Sequence, residues 1–116
     1  MDSLELSHKI GELLLDKQGE DILILDLQEI TTLTDYFVIC SGNNRRQLAA
    51  LAATIQEELK KSTGNILARG VEGTPDSGWI LLDYNSIMVH LFTPEMRQYY
   101  QLEDLWNAAH VVAHIQ

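Results

Sequence analysis

Two short apolar segments, WILLDY (79–84) and IMVHLF (87–92), flank Asn85-Ser86 and bring an aspartate and a histidine into range of each other. Asn tolerates positive φ, so Asn85-Ser86 reads as a two-residue hairpin turn. That register sets Asp83 opposite Met88, Leu81 opposite His90 and Trp79 opposite Phe92. Asp83 and His90 are then diagonal neighbours within side-chain reach. An Asp–His pair has the composition of a general-base unit. No serine or cysteine nucleophile is placed beside it, so the favoured reading is an interface hydrogen bond or ion pair. His110 and His114 stand four apart, a spacing that permits metal ligation on a helix, but the intervening Val-Val-Ala lacks the glutamate of a zinc-protease helix. They read as exposed histidines on a terminal helix, and no metal or other cofactor is expected. Gly70-Val71-Glu72-Gly73 is too poor in glycine and lysine for a phosphate loop. A nucleotidyl-transfer site would need two or three converging carboxylates to hold Mg²⁺. Ser41-Gly42 before a helix is how such sites begin, yet the segment 66–71 carries no acid and 79–84 carries only Asp83. Enzymatic activity therefore has little support.

These residues need elements to hold them. Residues 3–17 place Leu6, Ile10, Leu13 and Leu14 at helical spacing, and Gln18-Gly19 ends the helix. Residues 22–27 form an aliphatic run that suits a strand buried on both faces. Residues 35–41 give a second strand. Asn44 caps a helix over 44–62, with Gln47 three residues on and the stripe Leu48, Leu51, Ala52, Ile55, Leu59. Arg45 and Arg46 oppose the macrodipole there and call for an acidic partner. Lys60 and Lys61 suit its last turn, and Gly64 stops it. A third strand over 65–71 would complete a strand–helix–strand unit, for which a right-handed parallel crossover is expected. Thr93 caps a further helix with Pro94 at its first position, followed by Tyr99, Tyr100, Leu102, Leu105 and Trp106. The tail NAAHVVAHIQ reads as helical, with no clear partner. The expectation is one α/β domain over residues 1–107, a mixed five-stranded sheet flanked by helices, and a tail over 108–116.

The hairpin has two unlike faces. Ile80, Leu82, Tyr84, Ile87, Val89 and Leu91 are core-like and belong under helices. The other face carries Trp79, Leu81, Asp83, Met88, His90 and Phe92, a patch of the kind that marks an interface on a soluble protein. The net charge of −9, from 17 acidic and 8 basic side chains, weighs against phosphate-backbone binding and sequence-specific contact with nucleic acid. An acidic protein working beside nucleic acid docks more readily on a basic protein there. The single cysteine, Cys40, follows Tyr-Phe-Val-Ile and reads as a buried structural thiol, in keeping with a reducing compartment. The N-terminal residues are polar and acidic, unlike a secretory signal, and no apolar run is long enough to span a bilayer.

The stretches TDYFVICSGNNRRQ, EG…SGWILLDY and VHLFTPEMRQYYQLEDLW closely resemble the ribosomal silencing factor family, also called RsfS or Iojap. The match runs from about Leu4 to Trp106 in the order the family shows. The resemblance implies a nucleotidyltransferase-like core without catalytic acids and without transferase activity. It implies binding to the large ribosomal subunit through ribosomal protein L-fourteen, a block on joining of the two subunits, and repression of translation when nutrients are short. Assembly of the large subunit is the alternative role, and homodimers in the cytoplasm are expected. Trp79, Leu81, Asp83, His90, Arg97 and Tyr100 match family positions on or beside the partner-binding surface. Asn43-Asn44 departs from the small residues or serine often found before Arg-Gln, and the tail carries no transferred role.

Overall fold

Backbone capping and apolar alternation build each element locally, and the sheet then sorts them into layers. The structure, a computed structural model, describes residues 2–62, 64–105 and 107–115. Trp106, where the family resemblance ends, lies outside them. Helix α1 (Ser3–Asp16) begins where the Asp2 carboxylate accepts from Glu5 N–H at 2.8 Å. Strands β1 (Glu20–Asp26) and β2 (Tyr36–Ser41) follow, then α2 (Arg45–Ser62). Asn44 Oδ1 accepts from Gln47 N–H at 2.9 Å, as the capping pattern predicts. The Gln47 amide reaches back to Asn43 N–H at 2.6 Å and across to the Gln18 carbonyl at 2.9 Å, which ties α2 to the end of α1.

Strand β3 occupies Gly70–Thr74, five residues later than the start expected from the sequence. A 3-10 turn over Pro75–Ser77 leads to β4 (Trp79–Asp83), β5 (Ile87–Phe92), α3 (Pro94–Tyr100), the short α4 (Leu102–Leu105) and β6 (His110–Ile115). The tail is thus a strand and not a helix. It lies antiparallel to β1, with Ile22 opposite Ile115 and Asp26 opposite His110. Val111-Val112 favour extended backbone, and β1 offers an open edge to pair with.

The sheet accordingly has six strands, one more than expected, in the order β3-β4-β5-β2-β1-β6. β2 and β5 are parallel, and the other pairs are antiparallel. β3 therefore runs in the direction of β2, as a crossover through α2 requires, but β4 and β5 lie between them. The hairpin register agrees with the sequence reading, with Asp83 opposite Met88, Leu81 opposite His90 and Trp79 opposite Phe92. Asn85 takes the positive φ of 70° that the turn demands.

One face of the sheet packs under α1 and α2. Leu6, Ile10, Leu14, Leu48, Leu51, Ile55 and Leu59 meet Ile22, Ile24, Val38, Ile80, Leu82, Val89 and Leu91 there. Cys40 is fully buried in this layer, and burial pushes its thiol up to about 12, as befits a structural residue. The opposite face holds a smaller cluster of Leu23, Leu25, Leu27, Phe37, Ile39 and Phe92. Met96 of α3, Leu102 of α4 and Ala109 pack against it. No helix among the described residues is long and apolar enough to cross a membrane.

Candidate functional site

The smaller cluster thins toward the β3–β4 end of the sheet, and Trp79 sits there, half-buried. Two features of the chain make room for its ring. Gly73, opposite Ile80 in β3, has φ of 80°, and a Cβ there would lie 2.1 Å from the Trp79 carbonyl oxygen and 3.0 Å from its ring. Only glycine satisfies both conditions. Gly78, at φ of 78°, lets the chain turn tightly into β4, where a Cβ would strike Met96 and Thr93 of the following helix start. The Trp79 indole N–H donates to His90 Nδ1 at 3.4 Å. Tyr100 of α3 lies 6.1 Å from Trp79 and 5.7 Å from Phe92, centroid to centroid. Tyr99 meets Tyr100 edge-on at 5.3 Å. These separations fall within the range of favourable aromatic pairing. An aromatic path thus runs from Phe37, through His90, Phe92 and Tyr100, to Tyr99 at the surface.

The six residues singled out by sequence divide into three groups. Trp79, His90 and Tyr100 share one locus; Leu81 is directly opposite His90 in the sheet. Tyr100 is exposed, whereas Leu81 and His90 keep only 8% and 7% of their surface. Asp83, at the far end of β4, does not bond His90. Its carboxylate accepts from Arg69 Nη2 at 3.0 Å and from Asn85 N–H at 2.8 Å. Burial works against the charged form of Asp83, but the Asn85 N–H and the Arg69 guanidinium outweigh it and hold the carboxyl below its usual range. The general-base pair is therefore not formed. His90 is held neutral instead, burial pushing its imidazole down to about 4.

Arg97 forms the third group and faces inward, 8% exposed. Its Nε and Nη2 both donate to Glu103 Oε2, at 3.1 and 3.0 Å. Its Nη1 donates to Ser41 Oγ at 3.0 Å and to the Asp21 carbonyl oxygen. Gln101 takes a left-handed turn, φ 47°, that brings Glu103 back to the guanidinium. The Asp21 carboxylate also accepts from His114 Nε2 at 2.6 Å. Arg97 thereby staples α3 and α4 to the ends of β1 and β2.

A cleft of about 810 Å³ lies between the start of α2, the 3-10 turn and the start of α3. Of the first-turn donors of α2, Gln47 N–H is already taken by Asn44 Oδ1, and Arg45 faces Asp76 at 3.9 Å in the open, an exposed pair of little energetic weight. The shift of β3 puts Glu72 on a strand, opposite Leu81, but the Asp83 carboxylate is committed to Arg69. His110 and His114 pair with Asp26 and Leu23, on opposite faces of β1. Among the described residues no cluster of three His, Cys, Asp or Glu could hold a metal ion.

Arg69, Asp21, Glu103, Gly73 and Tyr99 escaped sequence reasoning. Arg69 lay on an expected strand, and its partner is 14 residues away. Asp21 is 76 residues from Arg97, with no local signal to connect them. Gly73 was read only as part of a loop sequence; an isolated glycine two residues after a β-branched valine is a signal for a bulged edge strand.

A family profile described as "Ribosomal silencing factor during starvation" matches residues 1–116. The Bacillus subtilis protein named Ribosomal silencing factor RsfS is 39% identical over 94 residues, which is 81% of this chain and 78% of that one. A crystal structure of a Chromobacterium violaceum protein matches at a TM-score of 0.86 and 34% identity, covering 92% of this chain and 88% of that one. A mouse protein named Mitochondrial assembly of ribosomal large subunit protein 1 is 33% identical over 97 residues, or 82% of this chain and 42% of that one.

Proposed function

The chain belongs to the ribosomal silencing factor family, and from that premise we propose that it binds the large ribosomal subunit through ribosomal protein L-fourteen. Seated there, it blocks joining of the small subunit and so represses translation, above all when nutrients are limiting. It acts as a binding protein in the cytoplasm, a homodimer when free, with no catalytic step of its own. The observation that carries this reading is the half-buried Trp79 on a sheet face, beside exposed Tyr100 and Tyr99. Such aromatic anchors commonly supply most of an interface's binding energy. Asp83, partly exposed at the other end of β4, would present its ion pair with Arg69 to the partner at the edge of that surface.

Purified large and small subunits test the proposal directly. The protein should pellet with large subunits and not with small ones, and it should slow the rise in light scattering when the two are mixed. Pelleting with small subunits, or unimpeded joining at saturation, would overturn it. Incubation with labelled nucleoside triphosphates and Mg²⁺ should yield no transfer; transfer abolished by Asp83→Asn would restore the enzyme reading. The name of the mouse relative favours a second role, in assembly of the large subunit. Depletion would then cause precursors of that subunit to accumulate in gradients, whereas silencing alone would leave mature subunits and an excess of joined ribosomes.

A further inference from the structure

A half-buried indole on a docking face needs something to hold its orientation, and the only polar atom of the ring points inward. The indole nitrogen is solely a donor, so His90 Nδ1 must present its lone pair to it, and the imidazole proton resides on Nε2. The tautomer is assigned from the needs of the donor. His90 Nε2 is buried and has no hydrogen-bond partner among the described residues. A buried donor left unpaired destabilises the native state, and an apolar side chain of similar size would avoid that penalty. Space-filling therefore does not account for a histidine here, whereas an acceptor aimed at Trp79 does. The ring is also prevented from turning. Phe37 meets it at 4.6 Å and 62°, and Phe92 stacks on it at 6.1 Å and 5°. In the sheet, His90 is flanked by Ile39 of β2 and Leu81 of β4.

We propose that His90 is a positioning residue for docking: its Nδ1 fixes the Trp79 indole in the orientation in which that face meets its partner. The proposal rests on the docking role of Trp79 given above. His90 then acts without touching the partner, as its burial requires.

A double-mutant cycle with purified large subunits separates this role from a direct contact and from a merely structural one. His90→Leu should weaken binding roughly fivefold in the unmodified background, the scale of one lost hydrogen bond. In a Trp79→Phe background, which lacks the indole N–H, the same change should alter binding by less than about twofold. An equal loss in both backgrounds, or none in the first, overturns the proposal. His90→Asn, which offers an oxygen at the position of Nδ1, should restore binding; a folded Asn variant as weak as the Leu variant also overturns it. Should the variants fail to fold, the unmodified protein still decides. The assigned indole proton of Trp79 should exchange slowly with solvent in the free protein, and exchange at the rate of a free indole would refute the hydrogen bond. Trp79→Ala serves as the control for the docking reading itself. If it leaves subunit binding unchanged, that reading falls, while a protected indole proton would show that the His90 bond stands.

Discussion

Trp79 packs beside the smaller cluster, and its neighbours are His90, Tyr100 and the closely approached backbone at Gly73. Trp79→Ala should therefore lower large-subunit binding by about tenfold or more while circular dichroism and the melting profile stay those of a folded protein. A variant that unfolds would place Trp79 in the core. His90 makes a separate, pH-dependent contribution. Burial lowers its pKa from 6.5 to about 4 in the folded chain, so the unfolded chain takes up the proton first as pH falls. Stability from this group is complete above pH 6.5, declines between 6.5 and 4, and levels off below that. The loss is on the order of 3 kcal/mol. Denaturant titrations between pH 4 and 7 should show a shallower pH dependence for His90→Phe than for the unmodified protein, since the contribution of Asp83 is common to both. Equal slopes would mean that His90 is solvated.

At the scale of elements, β6 and the α3–α4 segment hold the two faces closed. Val112, Ala113 and Ile115 pack against the main core from β6. Truncation after Ala109 should reduce stability by roughly 2–4 kcal/mol through lost apolar burial. It should also expose the backbone edge of β1, an invitation to pair with another chain. Denaturation midpoints and size-exclusion profiles check both halves; an unchanged midpoint would show β6 to be dispensable. The α3–α4 segment depends on Arg97, whose guanidinium serves Glu103, Ser41 and Asp21 together. Arg97→Ala strands those partners and should destabilise the fold by about 3–5 kcal/mol. Lysine should recover little of this, because it lacks the planar fork that meets several acceptors at once. Thermal melts of the two variants decide the point, and full recovery by lysine would assign Arg97 the role of a simple charge.

For the molecule as a whole, the net charge of −9 should govern how it meets a basic partner more than how tightly it stays. Opposite charge on a ribosomal protein would speed encounter at low salt. The Debye length falls from about 10 Å at 0.1 M salt to about 3 Å at 1 M, while apolar anchors respond far less. Added salt should slow association with isolated ribosomal protein L-fourteen more than it speeds dissociation. Trp79→Ala should act mainly on dissociation. Surface plasmon resonance across a salt series measures both. Association that is flat in salt, or faster at high salt, would leave the charge as a solubility feature.

The sequence by itself determined whatever a few neighbouring residues decide. The 79–92 hairpin register follows from one tolerant asparagine and strict alternation, and the structure agrees pair by pair. The caps at Asn44 and Thr93 and the buried state of Cys40 were legible for the same reason. Tertiary structure decided the rest. His110–Ile115 became a strand because β1 had a free edge to satisfy, a fact 84 or more positions away in the chain and invisible to local periodicity. β3 begins at Gly70 and not at residue 65 because its register is dictated by β4, which pairs Gly70 with Asp83. Asp83 faced two prospective partners, and the arrival of Arg69 beside it, not its own diagonal to His90, settled which carboxylate bond formed. Arg97 turned inward because Asp21, Ser41 and Glu103 converge only once three elements have packed. Periodicity reports which face of an element is apolar; it carries no information about which distant polar group will be waiting when that face closes.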